Sequence, residues 1–586
     1  MLRATLHRQR WWFHGHLVRQ RLMAGLTSMA VVGTGSLMVG GPFAGTAQAA
    51  QITSCGPSPA ATPFIDEAQQ PPVAAPDRKN HYTLTVGVHN THKFSSEWGP
   101  TKTLGYSTAN ATVDYLGPTI VTQRNRPIKV RVINNLPPAG TPVFPFDQPN
   151  NNNTITTHRH GGLQSVASDG VPLPNGVEVP PGRSQTQHYP NKQAAAPLWY
   201  HDHADAHDSY HVYEGLAGLA PNTDKLEPSF GLPRGRFAKA YVLQDKSFNS
   251  DYSLCYTHAD PEFFGDRPVI NGTIAPKQDV EPRRYTFTLV NGSDSRFYHL
   301  SLRQVAGSPS AAPAITVVGN DEGYLRHPAR VNDLLIAPGE RYKVVVDFTG
   351  HHGQRWVLAN DAPAPYPGPN AAPLIPELMR FDVCHKATSP DHSRVPRTIR
   401  ETNNAESLAS KLARARLRTV QAGENTPGVP QIGDQNQLLN YFDPPTETPQ
   451  LGSTEVWAMR NHSPDAHPFH EHIVELRLIG RWHVGQWDAN GKPVPGTVGP
   501  FEPAKAYESG PKDTFVSPPD YITAWVGTYT IPGTSVWHCH ILSHEDGAST
   551  GGAIEMMRPL AVGSKPQLQL PRVFTQNRLD RLVRRP

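Results

Sequence analysis

Cysteine is scarce in this chain: Cys55, Cys255, Cys384 and Cys539 are the only four in 586 residues. That excludes a small disulfide-stapled scaffold and an array of zinc ribbons, which need far more cysteine. Charge is thin as well, at 18%, and neither sign dominates. Setting aside residues 1–49 removes Arg3, Arg8, Arg10, Arg19 and Arg21 and no acid, so a formal charge of +4 becomes −1. No basic surface remains for a nucleic acid. Helical periodicity is convincing only over Glu406–Leu417, so a helical bundle is excluded.

Turn formers are abundant instead, with 59 Pro and 48 Gly, and 37% of residues are apolar. Packed cores joined by many turns point to all-β sandwiches, and the length to three or four domains. Thr83–Val88 and Ile128–Ile133 alternate with the period of two expected of strands, the second closing at Asn134-Asn135. The pattern returns at Tyr285–Gly292 and again at Glu455–His462, each run ending at Asn in a turn. Three such copies suggest one β-sandwich used three times.

The arginine-bearing N-terminus, the apolar and small residues of Leu22–Ala44, and Ala47-Gln48-Ala49 read as a signal peptide rather than a membrane anchor. The expected organisation is a signal over 1–49, a flexible Pro/Ala-rich leader over 50–77, and sandwiches over 78–230, 231–387 and 411–565. A polar linker lies at 388–410 and a solvated basic tail at 566–586. Export permits a disulfide; Cys255–Cys384 and a pairing with Cys55 are both open.

Histidine carries the chemistry. Four clusters stand out: His158-Arg159-His160, His201-Asp202-His203, His467-Pro468-Phe469-His470-Glu471-His472 and His538-Cys539-His540-Ile541-Leu542-Ser543-His544. One His-x-His is an ordinary surface feature, but four in one chain, one of them enclosing a cysteine, call for metal. On a strand, i and i+2 share a face and i+1 takes the other. His538 and His540 then face one metal group and Cys539 another, and the same parity pairs His470 with His472 and turns His467 away. A thiolate with two imidazoles (Cys539, His467, His544) suits a blue-copper electron-transfer centre. The eight remaining imidazoles suit several coppers better than one four-coordinate zinc.

These motifs, in this order, resemble those of multicopper oxidases. Trp199-Tyr200-His201-Asp202-His203 and His538-Cys539-His540-Ile541-Leu542 are most similar to the bacterial three-domain branch of spore-coat laccases, bilirubin oxidases and phenoxazinone synthase. Gly117-Pro118-Thr119-Ile120 and Val269-Ile270-Asn271-Gly272 match strand-and-turn landmarks of the same family. The resemblance implies three cupredoxin-like Greek-key β-sandwich domains and four copper ions. A type 1 copper would lie in the third domain, with a type 2 copper and a type 3 pair between the first and third. By position, His158 and His470 would hold the type 2 copper, and His160, His201, His203, His472, His538 and His540 the type 3 pair. Asp169 and Glu545 match the acids that handle protons. The implied activity is one-electron oxidation of a small reducing substrate (phenols, aromatic amines or similar) coupled to four-electron reduction of O₂ to water. The rival reading is a copper-binding electron carrier of the same fold, which would need only the Cys539 group.

Three departures mark this chain. Gly547–Glu555 intervenes before Met556-Met557-Arg558-Pro559: aligning on the methionines makes Met556 the axial ligand, whereas counting the usual spacing gives Ser549. Thioether softness favours Met556, with the glycine-rich insertion looped out. His207 and His211 follow His203 at spacings of four, and a solvated turn is the expected reading. Asp465-Ala466 precedes His467 where bilirubin oxidases tend to carry a nearby Trp, which weakens a bilirubin substrate. Only four methionines follow residue 49 (Met379, Met459, Met556 and Met557), so no Met-rich segment exists to collect cuprous ions.

Overall fold

The computed structural model describes residues 54–111, 113–147, 151–172, 174–258, 261–305, 311–400, 406–547, 555–563 and 570–584. The proposed signal over 1–49 lies outside them. Over these residues the chain is an all-β protein of cupredoxin-like sandwiches. One four-strand order recurs three times, at the places where the alternating runs recur in sequence. Strand Thr101–Ser107 pairs antiparallel with His81–His92, which runs parallel to Ile128–Asn134, itself antiparallel to Ser184–Tyr189. The same order returns in Arg267–Ile270, Ala238–Phe248, Arg284–Asn291 and Arg341–Asp347. It returns again in Val429–Asp434, Arg416–Thr426, Thr454–Asn461 and Tyr521–Thr528.

The asparagine that closes each run has a physical task. Asn134, Asn291 and Asn461 are fully buried. Each accepts at Oδ1 from the backbone N–H two residues on: Leu136 at 2.9 Å, Ser293 at 3.0 Å and Ser463 at 3.1 Å. Each Nδ2 donates to two carbonyls, those of Asn153 and Val179, of Arg296 and Ile336, and of Asp465 and Ser517. The side chain thus satisfies backbone groups that the turn leaves without ladder partners, each worth about 1–3 kcal/mol if buried and unpaired.

Three segments differ from expectation. The leader is not free. Cys55 is disulfide-bonded to Cys255, Trp98 Nε1 donates to the Ala60 carbonyl at 2.9 Å, and Ala68 and Ala74 donate backbone bonds to Lys277 and Thr119. A proline-rich extended chain is preformed for lying along strand edges, and composition does not reveal whether an edge awaits it. The polar linker is likewise strapped down: Asp391 meets Arg283 and Arg284 and Ile399 is buried. Within Glu406–Leu417 the expected helix forms as Leu408–Arg414, N-capped by Ser407. The basic tail is a docked helix, Gln576–Val583, burying Leu579 and Val583 beside Val573, Leu412 and Trp482. Asp580 also accepts from Trp482 Nε1. Its arginines lie off the i, i+4 apolar stripe, which a count of charge overlooks. Cys384 is exposed and unpaired.

Candidate metal centre

Two antiparallel pairings bring the four histidine clusters together. His158 sits opposite His201 where strand Thr157–His160 meets Trp199–Asp202. His470 sits opposite His538, and Phe469 opposite Cys539, where His467–Glu471 meets Gly533–Cys539. Strand parity then sorts the ligands. On one face Cys539 Sγ lies 3.5 Å from His467 Nδ1 and 3.8 Å from His544 Nδ1. On the other, His472 Nε2 lies 3.3 Å from His203 Nε2 and 3.1 Å from His538 Nε2. His540 Nε2 lies 3.1 Å from His160 Nδ1, with the His201 ring centroid 5.4 Å from that of His540. His158 and His470 stack on His472 and His160, at 3.9 and 3.7 Å between centroids. All ten histidines are buried.

The donor atoms fit copper. Nε2 of His158, His201 and His470 is buried without a hydrogen-bond partner among the described residues. Each such orphan costs about 1–3 kcal/mol unless something binds it. Burial holds the His158, His160, His472 and His540 imidazoles well below their usual range. It brings His201 and His467 down to about 3, so their lone pairs stay available to a metal. Cys539, His467 and His544 bring their ligand atoms within 4.8 Å of one another, as do His203, His472 and His538, and His158, His470 and His472. One thiolate among imidazoles, set apart from an all-imidazole group, is a donor set for copper rather than for calcium or magnesium.

The opposite nitrogen of most rings is anchored, which fixes tautomer and orientation. Nδ1–H of His158, His201, His470 and His538 donates to the carbonyls of Asp169, Asp202, Asp513 and Cys539. His472 Nδ1 donates to Asp169 Oδ2 at 2.8 Å, and His160 Nε2 to Asp513 Oδ1 at 3.1 Å. Asp513 is in turn gripped by both Arg341 terminal nitrogens at 2.6 Å. Burial alone would raise its carboxyl, but Arg341 and His160 hold it well below the usual range. Arg341 belongs to the second sandwich, as does Gly339 (φ +81°), where a Cβ would stand 2.6 Å from the His540 ring.

Both acids named from sequence lie in this shell. Asp169 also accepts from Gln164 and Ser535, and burial pushes it up to about 7. Glu545 lies 3.0 Å from His203 Nε2 and 3.0 Å from His538 Nδ1. Burial would raise its carboxyl, yet the two imidazoles keep it well below the usual range. Met556 is fully buried in the same apolar cluster as Cys539. Its carbonyl accepts from Cys539 N–H at 3.0 Å and its N–H donates to His544 O at 2.8 Å. Ser549 lies outside the described residues.

The solvated turn expected at His207 and His211 is instead a buried helix, Asp208–Glu214. His211 Nδ1 lies 2.8 Å from Asp202 Oδ2, while Tyr210, Val212 and Tyr213 join the first core. The aromatic and β-branched residues between the polar ones supply the apolar surface that a solvated turn would lack. That helix carries a residue the sequence did not flag. Asp208 faces Glu545 and Asp546, and burial, then those two carboxylates, raise it well above its usual range. Asp513 and Glu262, the latter 4.0 Å from His544 Nε2, were also missed.

Family models described as multicopper oxidase match residues 147–221 and 411–557. A laccase of Bacillus subtilis (strain 168) is 31% identical over 537 residues, covering 85% of this chain and 98% of that one. The chain belongs to the multicopper oxidase family. A laccase of Bacillus stratosphericus is 32% identical over 85% of this chain and 99% of its own length. In fold, this multicopper oxidase is similar to the McoA multicopper oxidase of Aquifex aeolicus, with a TM-score of 0.67 at 22% identity over 85% of this chain and 99% of the other. It is therefore a copper-dependent oxidoreductase that couples oxidation of a reducing substrate to reduction of O₂.

Proposed function

We propose that this multicopper oxidase is an exported laccase-type enzyme with four coppers, acting on phenols, aromatic amines or similar small donors. The observation that carries this reading is the single strand ending His538-Cys539-His540, whose thiolate faces His467 and His544 while its flanking imidazoles face the other histidines. Cys539, His467, His544 and Met556 would hold the type 1 copper. His158 and His470 would hold the type 2 copper, with His160, His201, His203, His472, His538 and His540 around the type 3 pair. Bound copper supplies one-electron redox chemistry, electrons entering singly and leaving to O₂ in fours.

The chain's own part is to link, orient and move protons. Cys539 is covalently continuous with both neighbouring imidazoles, so the two ligand sets are a backbone step apart. Asp513, clamped by Arg341, and the carbonyls behind the rings fix the imidazoles. Asp169 holds a proton and the ionised Glu545 accepts one beside the cluster, with Asp208 and Asp546 next to Glu545. A pure electron carrier has no use for eight further histidines. The Cys55–Cys255 disulfide supports export to an oxidising compartment, with residues 1–49 as the signal. The threefold strand order supports sandwiches over 78–230, 231–387 and 411–565.

Oxygen uptake by the copper-loaded protein, measured beside copper stoichiometry, tests the reading. Four bound coppers and one O₂ consumed per four phenol molecules are expected. One bound copper without oxygen uptake makes the protein a carrier. His158→Ala or His470→Ala is expected to remove the type 2 signal and keep the blue band, and loss of the blue band alone would invert the ligand assignment.

A further inference from the structure

Behind the strand that carries His201 and His203 lies a second pair of imidazoles, which the oxygen chemistry does not use. His207 and His211 stand four positions apart, and the His207 carbonyl accepts from the His211 N–H at 3.0 Å. That single helical turn sets the two side chains on one face, with 5.6 Å between ring centroids. Burial, then the nearby His211 ring, brings His207 down to about 4, so it stands as a neutral base.

Each ring is held as metal-binding imidazoles are held, through one nitrogen that is pinned to an oxygen. His211 Nδ1 donates to Asp202 Oδ2 at 2.8 Å, and His207 Nδ1 donates to the Asp205 carbonyl at 2.5 Å. With Nδ1 so committed, the lone pair of each neutral ring is at Nε2. Nε2 of His207 is buried without a hydrogen-bond partner among the described residues, which costs about 1–3 kcal/mol unless something binds it. Asp205 and Ala206, just before it, are only half-buried, so the pair lies one turn beneath the surface.

Strand parity keeps this pair apart from the copper cluster. His201 and His203 point to one side of their strand and Asp202 to the other, where it meets His211. Asp202 is fully buried and also accepts from the N–H groups of Thr156 and Ala204, at 2.8 and 3.3 Å. An ion on His211 would therefore be braced through Asp202 against the strand that holds two of the cluster's imidazoles.

We propose that Nε2 of His207 and Nε2 of His211 form a further metal site, for one borderline divalent ion such as Cu²⁺ or Zn²⁺, with water completing its shell. Imidazole donors suit those ions, and calcium and magnesium prefer oxygen. The ion clips the turn before helix Asp208–Glu214 to the helix itself.

The test uses copper-loaded protein stripped of loose metal on a chelating resin. It is titrated calorimetrically with Zn²⁺ and, separately, with Cu²⁺, and bound metal is counted by mass spectrometry. One further ion per chain is expected, with the blue band unmoved. His207→Gln and His211→Gln should each weaken that binding by at least about 10–100-fold, the cost of losing even a supporting hydrogen bond to a metal-bound imidazole. The copper already held should stay bound in both. In the parent, pulsed EPR before and after the added Cu²⁺ should differ by the modulation of two imidazoles, a readout that needs no variant. No further ion in the parent, or one that binds undiminished in both variants, overturns the proposal. A difference spectrum with fewer than two imidazoles overturns it too.

Discussion

The two ligand groups on either face of the Gly533–Cys539 strand are equally buried but differently backed. Around Cys539 the neighbours are Phe469, Ile541, Phe515 and Met556, and burial is the sole cause that lowers His467. Behind the eight-histidine group stand Asp169, Asp513, Glu545, Asp208 and Asp546. A centre that only accepts and passes electrons is best kept dry and apolar, where little reorganises. A centre that reduces O₂ must also receive protons, so its shell has to be acidic. The difference in surroundings separates the two tasks more clearly than the ligands do.

The sharpest way to break this contrast is Cys539→Ser. Substrate oxidation should fall to background and the blue colour should vanish, because the intense absorption needs the copper–sulfur bond, while circular dichroism stays native. A blue, copper-loaded Ser variant would dissolve the distinction between the two faces. On the acidic side, Glu545→Gln is expected to lower turnover about 100-fold with copper content unchanged, since an amide keeps shape but delivers no proton. Asp169→Asn should do the same to a lesser degree. Full activity of both across the pH range would reduce the acid shell to packing.

The metal-free protein extends the comparison to stability. His158, His160, His201, His467, His472 and His540 all titrate well below an exposed imidazole, chiefly through burial. Below about pH 6.5 the unfolded chain takes up protons that the native rings refuse. Stability is therefore full above that pH and is lost as pH falls toward the native values, each ring contributing up to about 1.4 kcal/mol per unit. Asp169 and Asp546, both pushed up to about 7, and Asp208, raised well above its usual range, work in the opposite direction, so the rings' share is read by difference. In copper-free protein, His472→Gln should make the urea midpoint less favourable to pH 7 over pH 5 than it is in the parent. An identical pH dependence in the two would mean that this ring is not buried as a neutral base.

Most of the metal centre was legible because strand parity is a local rule. Knowing that Cys539 lies between His538 and His540 was enough to send them to opposite faces. The acid shell was so only in part: Asp169 and Glu545 stand at positions that the family resemblance marks, whereas Asp513 is brought to His160 from 353 positions away. Asp208 escaped for another reason. A polar-looking stretch between His203 and Glu214 reads as solvent-facing until Tyr210 and Tyr213 are seen packed inward. The repeated strand runs disclosed the threefold fold, whereas the strap and the tail helix showed that proline content and net charge say little about docking.

The mildest perturbation separates a ligand from its frame. Met556→Leu should shift the reduction potential of the blue centre while copper stays bound, since the backbone of residue 556 still bridges Cys539 and His544. Potentiometry showing no shift would place the axial group elsewhere, with Ser549→Ala the next variant to measure.

Residues 158–203 hold half of the histidine cluster, yet His472 lies 269 positions beyond His203. At ribosomal speeds of about 5–20 residues per second, that half waits on the order of tens of seconds for its complement. During that interval four histidines on neighbouring strands are a serviceable trap for zinc or any other passing divalent ion. Correct metallation is therefore a matter of timing as much as of affinity, and it favours filling the cluster only after the whole chain has been made.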